Sequence, residues 1–187
     1  VFNLRKISQQ TEAMKKTNLI LLLVILIGGG TYLGYLSQLG TTAEAATLTA
    51  PSILPDFTLN DINGEPKSIH QLAGNKPTLY IYFNSTCHLC QEELGTLSKR
   101  INEFKDYNLI FTTVEPVGEM IGFVTGLGIK DKAFVNFLLD AEMKVASYYQ
   151  IRSVPSIFVY DAKKQLVAEY VGITEIDLLL EKLASGK

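Results

Sequence analysis

With 187 residues, 47% of them hydrophobic, the chain has material for one domain with a sizeable core and little for two. Its 17 basic and 19 acidic residues leave a net charge of −2 and no basic patch, so nucleic acid is not an expected partner. Two cysteines and two histidines, one of the latter lying between the cysteines, make a closed four-ligand zinc site a poor expectation.

The chain begins with Arg5, Lys6, Lys15 and Lys16, with Glu12 the sole acid before a charge-free stretch from Thr17 to Ala43. Leu19 to Ile27 is unbroken Leu, Ile and Val, and the less apolar Gly28 to Leu36 carries the run on. At about 1.5 Å per residue, Leu19 to Leu36 makes roughly 27 Å of helix, enough to cross a bilayer's hydrocarbon layer. A buried helix of a soluble domain is disfavoured because the run is apolar on all sides. The basic flank places the N-terminus in the cytoplasm, and Tyr32 and Tyr35 suit the outer interface. Ala43-Glu44-Ala45 offers a small-x-small cleavage signature, but it lies far beyond Ile27 for a signal peptidase site, so a retained anchor is expected. The expected organisation is a cytoplasmic segment 1–16, a transmembrane anchor 17–36, a Thr/Ala/Ser-rich linker 37–52 and a domain 53–187. Four bases and one acid precede Ala43, leaving 13 basic and 18 acidic residues beyond it, a net of −5.

From Ile53 strand and helix patterns alternate. Phe57-Thr58-Leu59 leads into Asp61-Ile62-Asn63-Gly64, a turn signal that predicts a hairpin. Ser68 to Leu72 predicts one helical turn closed by Gly74. Thr78 to Phe83 is apolar and aromatic enough for a buried strand. After the polar Asn84-Ser85-Thr86, residues Leu94, Leu97, Ile101 and Phe104 recur at helical spacing, which assigns Glu92, Glu93, Lys99, Arg100 and Glu103 to the wetter faces. Leu109 to Val114 predicts a strand; Met120, Phe123, Val124 and Leu127 share a helical face ended by Gly126 to Gly128. Phe134 to Leu138 predicts a short strand and Glu142 to Tyr149 a helix. Ser156 to Tyr160 and Gln165 to Gly172 predict two strands about Asp161 to Lys164. Thr174-x-x-Asp177 is a capping-box-like start for a last amphipathic helix ending near Leu183. The pattern specifies an α/β domain, a central sheet with helices on both faces.

The chemistry concentrates at Cys87-His88-Leu89-Cys90. Two thiols at i and i+3 on a first helical turn can face each other and close a small ring. So short a loop removes little unfolded-chain entropy, so a structural staple is a weak reading. Cys87 falls at a helix N-terminus, where unpaired N–H groups and the positive end of the dipole favour the nucleophilic thiolate. His88, when charged, acts in the same direction. Cys90, one turn deeper, is placed to resolve a mixed disulfide.

Five stretches in this order carry a family resemblance: Pro55 to Leu59; Asn63-Gly64 with Leu72 to Lys76; Cys87 to Cys90 with Glu93 behind; Tyr149 to Pro155; and Phe158 to Asp161. Over about Pro51 to Leu183 the chain resembles the thioredoxin-like redoxins, most closely the membrane-anchored extracytoplasmic thiol:disulfide oxidoreductases of the TlpA and ResA type. The resemblance implies a thioredoxin fold, a central mixed sheet flanked by helices with an N-terminal β-hairpin extension, here preceded by one transmembrane helix. It implies Cys87 as nucleophile, Cys90 as resolving cysteine and Pro155 as a cis-proline facing them, with the backbone of Val154 offered to a substrate chain. An ordinary trans proline opening the next strand is the alternative at Pro155. The implied redox group is the Cys87–Cys90 disulfide itself, with no cofactor. The implied partners are exported proteins carrying disulfides and a membrane thiol reductase that recycles the dithiol. The implied location is a bacterial cytoplasmic membrane, with the redox domain in the periplasm or extracytoplasmic space.

The chain departs from the family at several positions. Thr86 stands where these proteins usually carry Trp, Leu89 where many carry Pro, and Ile81 where thioredoxins place a buried acid. Proton transfer then needs another group, for which Glu93 is the candidate, the other reading being a solvated helix residue. His88 is either a potential-tuning residue or an exposed polar one. Two alternatives to disulfide exchange stand beside it. A thiol peroxidase of the peroxiredoxin kind would want Pro and Thr or Ser where Tyr80 and Asn84 lie. A copper metallochaperone of redoxin fold would want a wider cysteine spacing and His70 as a distant ligand.

Overall fold

The predicted hairpin forms around Asp61, whose Oδ1 accepts the N–H groups of Asn63 at 2.8 Å and Glu65 at 2.9 Å. Gly64 completes the turn at φ +82°, a conformation that glycine adopts without a Cβ clash. Strands β1 (Thr58–Asp61) and β2 (Pro66–Ser68) therefore pair antiparallel. Ser68 ends β2 and caps α1 (Ile69–Ala73), its Oγ accepting the Gln71 N–H at 3.1 Å. This is a computed structural model, and it describes residues 50–187. The expected cytoplasmic segment, anchor and most of the linker lie outside those residues. Among the described residues no helix is long and apolar enough to cross a membrane.

The central strand is β3 (Thr78–Tyr82), parallel to β4 (Asn108–Thr113), which is parallel to β5 (Val135–Leu139). On its other side β3 pairs antiparallel with β6 (Ser156–Tyr160), and β6 with β7 (Leu166–Val171). Because β1 also pairs antiparallel with β5, the hairpin is two further strands of one mixed sheet, ordered β2-β1-β5-β4-β3-β6-β7. This is the thioredoxin-like α/β arrangement, with the hairpin built into the sheet.

Strand β3 shows why its sequence reads as continuous apolar rather than alternating. Leu79 and Ile81 face one side, in a core with Leu94, Leu97, Met120, Val124 and Leu179. Tyr80 and Tyr82 face the other, with Ile69, Val145, Tyr149 and Phe158. Successive side chains of a strand point to opposite faces, and here both faces are covered. The first face carries α2 (His88–Lys99), α3 (Val117–Gly126) and α5 (Ile176–Ser185); the second carries α1 and α4 (Lys144–Tyr148).

Three expectations need correction. The helical face predicted through Phe104 is interrupted after Lys99, and Ile101–Phe104 forms a 3₁₀ turn. In that turn i and i+3 eclipse, so buried Ile101 and Phe104 still reach the core together. Glu93, assigned to a wetter face, is buried at 1% exposure. Finally, Thr174 does not cap the last helix: the N-cap is Glu175, and Thr174 donates its N–H to Glu93 Oε2 at 2.9 Å and its hydroxyl to the Gly172 carbonyl at 3.4 Å. Helix α5 starts one residue later, after Glu175, and runs to Ser185.

Candidate active site

Strand β3 delivers the chain to the carboxyl edge of the sheet, where an Asx turn prepares the helix that follows. Asn84 Oδ1 accepts the Thr86 N–H at 2.9 Å and the Thr86 hydroxyl at 2.7 Å, and the Asn84 carbonyl accepts the Cys87 N–H at 3.2 Å. Cys87 then occupies the N-cap of α2 with extended backbone, φ −76° and ψ 120°. No side chain caps this end, so the cysteine sulfur stands where a capping oxygen usually would. Both cysteines are free thiols, Cys87 partly exposed and Cys90 fully buried.

The two sulfurs have opposite electrostatics. The Cys87 thiol is shifted below its ordinary range, foremost by the Cys90 amide N–H, with the Cys90 side chain and the Leu89 N–H acting in the same direction against slight burial. Burial pushes the Cys90 thiol up to about 12, although it accepts the Asn84 N–H at 3.5 Å. A ready nucleophile at the surface thus stands before a protonated thiol one turn inside.

Across the site, Val154-Pro155 is a cis peptide, as the resemblance implied. The Val154 carbonyl accepts a hydrogen bond from Cys87 Sγ at 3.5 Å. The Pro155 carbonyl accepts the Gly172 N–H at 2.8 Å, which ties the end of β7 to the same loop. Between the two cysteines Leu89 is an exposed apolar side chain.

The remaining sequence candidates separate. Glu93 sits on α2 behind the dithiol, with its carboxyl shifted above the usual range by burial; its Oε1 has no hydrogen-bond partner among the described residues. His88 is exposed and its side chain makes no hydrogen bond or ion pair there. His70 is not brought to the thiols. Its helix ends beside Asn108 and Thr78, at the far end of β3, and its Nε2 lies 2.7 Å from the Leu54 carbonyl. The metallochaperone's distant ligand is therefore missing from the site.

The sequence reading missed Glu115. It is buried in the loop after β4 and accepts the Ser85 N–H at 2.6 Å and the Ser85 hydroxyl at 2.8 Å. The signal was positional: an acid directly beyond the carboxyl end of a central parallel strand lies where open α/β sheets build sites.

The chain is similar to known proteins in sequence and in fold. Residues 52–169 match the model of the AhpC/TSA family. The chain is 25% identical over 146 residues to the thiol-disulfide oxidoreductase ResA of Bacillus subtilis, covering 75% of this chain and 77% of that protein. Among solved structures, the peroxidoxin BcpB of Mycobacterium tuberculosis superposes with a TM-score of 0.63 at 18% identity, covering 74% of this chain and 97% of that one. A putative thiol:disulfide interchange protein DsbE of Chlorobium tepidum gives 0.62 at 15% identity, covering 75% and 99%.

Proposed function

The chain belongs to the AhpC/TSA family, and from that premise we propose that it is a thiol:disulfide oxidoreductase, which reduces disulfides of exported proteins from a membrane-tethered position. The observation that carries this reading is the asymmetric pair, a partly exposed Cys87 lowered toward thiolate and a buried Cys90 held as thiol. Cys87 attacks a client disulfide, one S–S bond breaks as another forms, and a client thiolate leaves. Cys90 then attacks Cys87, releasing the second client thiol and leaving the Cys87–Cys90 disulfide. The redox group is that disulfide itself, and a membrane thiol reductase returns it to the dithiol.

The Val154 backbone beside Cys87 gives a client chain an edge to pair with, and exposed Leu89 between the cysteines offers apolar contact. The reducing direction is supported by the tether, from which a membrane thiol reductase can keep the pair reduced; the lowered Cys87 thiol, which stabilises the dithiol form, acts the other way. The basic N-terminal flank and apolar run of the sequence support the tether.

A peroxidase reading draws on the family and on the BcpB likeness, but the local geometry is less favourable to it. Asn84 turns its side-chain oxygen back onto Thr86, and Tyr80 is buried on the opposite face of β3, bonded to Thr112 at 2.7 Å. Trapping tests the exchange reading directly: the Cys90→Ser chain is expected to accumulate mixed disulfides with exported proteins, and Cys87→Ser none. A Cys87/Cys90 potential near the strongly oxidising end of the thioredoxin-fold range, about −120 mV, would overturn the reducing direction. Rapid Cys87-dependent peroxide consumption without client trapping would favour the peroxidase.

A further inference from the structure

Two adjacent peptide groups bring the buried acid and the inner thiol together. The Asn84 N–H points at Cys90 Sγ at 3.5 Å, and the next N–H along the chain, that of Ser85, points at Glu115 Oε2 at 2.6 Å. Glu115 Oε1 accepts the Ser85 hydroxyl at 2.8 Å and Oε2 accepts the Thr113 hydroxyl at 3.1 Å. The Ser85 carbonyl in turn accepts the Gln91 side-chain N–H at 2.9 Å, from the first turns of α2. Every polar group of Ser85 is thereby held, and both Ser85 and Glu115 are buried. An ionised carboxylate is an acceptor only, and three donors around Glu115 match it. Glu93, the acid behind the dithiol on α2, instead has its hydrogen bond with Thr174.

We propose that Glu115 is a positioning residue for the resolving step: through Ser85 it fixes the turn that carries the dithiol, and its negative charge, added to that of Cys87, restrains the resolving attack by Cys90 until the charge on Cys87 is lost to a mixed disulfide. The proposal rests on reading Cys87 and Cys90 as an exchange pair. Burial is the largest influence on Cys90, and the charges of Cys87 and Glu115 oppose its deprotonation further. Once Cys87 is bonded to a partner sulfur its charge is gone, whereas that of Glu115 remains. Cys90 Sγ then attacks Cys87 Sγ, the Cys87–partner bond breaks, and the proton that Cys90 loses goes to a basic departing thiolate or, where the leaving thiol is acidic, to solvent. No outside oxidant or reductant enters this step.

The test follows that step without any protein client. The reduced full chain is mixed with the aromatic disulfide DTNB; attack by Cys87 releases one coloured thiolate, and attack by Cys90 releases the second. Each unit by which a thiol's pKa falls raises such a rate about threefold, since thiolate fraction grows tenfold while nucleophilicity declines. Glu115→Gln keeps an acceptor for the Ser85 N–H and removes the charge, so the second phase is expected to accelerate at fixed pH. Glu115→Asp and Ser85→Ala keep the charge and disturb the turn, and neither is to exceed the wild-type rate. An unchanged or slower second phase in folded Glu115→Gln overturns the proposal, as does an equal acceleration in either charge-retaining chain. Should the glutamine chain fail to fold, the charge-retaining pair decides: acceleration in either overturns it, and wild-type or slower release in both supports it. A wild-type chain that shows both phases yet reduces no protein disulfide, with insulin as the probe, would sink the reductase reading and leave this one intact. A wild-type chain without the second phase would sink both.

Discussion

Cys87 Sγ and the Val154 carbonyl oxygen lie 3.5 Å apart although 67 residues separate them in the chain. The contact joins the N-cap of α2 to the loop ahead of β6, and β3 and β6 bring the two together as antiparallel neighbours, with Tyr82 opposite Ser156. A client strand pairing with Val154 would displace this contact and meet the sulfur at the same moment. On the proposed function, client recognition and the nucleophile would share this one backbone group.

The unequal thiols give distinct alkylation behaviour. In the reduced chain, iodoacetamide is expected to modify Cys87 alone, with a rate that rises with pH through a midpoint below the ordinary thiol value of 9.0. Cys90 is to stay unmodified until the chain unfolds, because it is both buried and protonated. Peptide mapping after a timed pulse reads both sites, and equal labelling in the folded state would contradict the asymmetry.

Glu93 predicts an inverted pH dependence. Its folded pKa is raised by burial, so between the ordinary carboxylate value of 4.5 and the raised one the native state binds more protons than the unfolded state. Stability from this residue is therefore fully present below the ordinary value and is lost as pH rises through the folded value. Glu93→Gln keeps an acceptor for the Thr174 N–H and is expected to raise Tm at neutral pH while leaving it unchanged in mild acid. Thermal melts across pH check this, and a neutral-pH loss in Tm would contradict it.

Asp140 gathers three donors just past the carboxyl end of β5. Oδ2 accepts the Tyr82 hydroxyl at 3.0 Å and the Ala146 N–H at 2.9 Å, and Oδ1 accepts the Val145 N–H at 3.1 Å. Tyr82→Phe removes one of these bonds, an expected loss of about 1–2 kcal/mol. Asp140→Ala leaves the Tyr82 hydroxyl and two N–H groups at the start of α4 unmatched, for roughly 3–5 kcal/mol. Urea unfolding of the two chains should preserve that order.

Phe111 is fully buried and stacks on Phe137 at a centroid distance of 4.8 Å, with Phe83 packed edge-on at 6.4 Å. Phe111→Ala opens a cavity between β4 and α3 and is expected to destabilise the fold by about 3–5 kcal/mol. Equilibrium unfolding measures it; a loss below 1 kcal/mol would mean that the aromatic cluster collapses to fill the space.

By itself the sequence determined what depends on neighbours along the chain. The Asp61 hairpin, the helical turn from Ser68, the buried strand at Thr78 to Phe83 and the placing of Cys87 at a helix start follow from periods of two and 3.6 and from turn chemistry, which act over a few residues. The motif order also led to the implied cis-Pro155. What only the tertiary structure decided concerns groups far apart in sequence. Glu93 sits in a polar-looking position on α2, yet the chain at Thr174 covers it, and helical periodicity cannot register an element 81 residues away. Glu115 carries no periodic signal, and its bonds to Ser85 exist only because parallel pairing of β3 and β4 sets two loops side by side. His70 looked available to the thiols until the sheet placed it at the other end of β3. Local patterns specify which side chains turn inward; which buried acid meets which thiol is set by strand order and register.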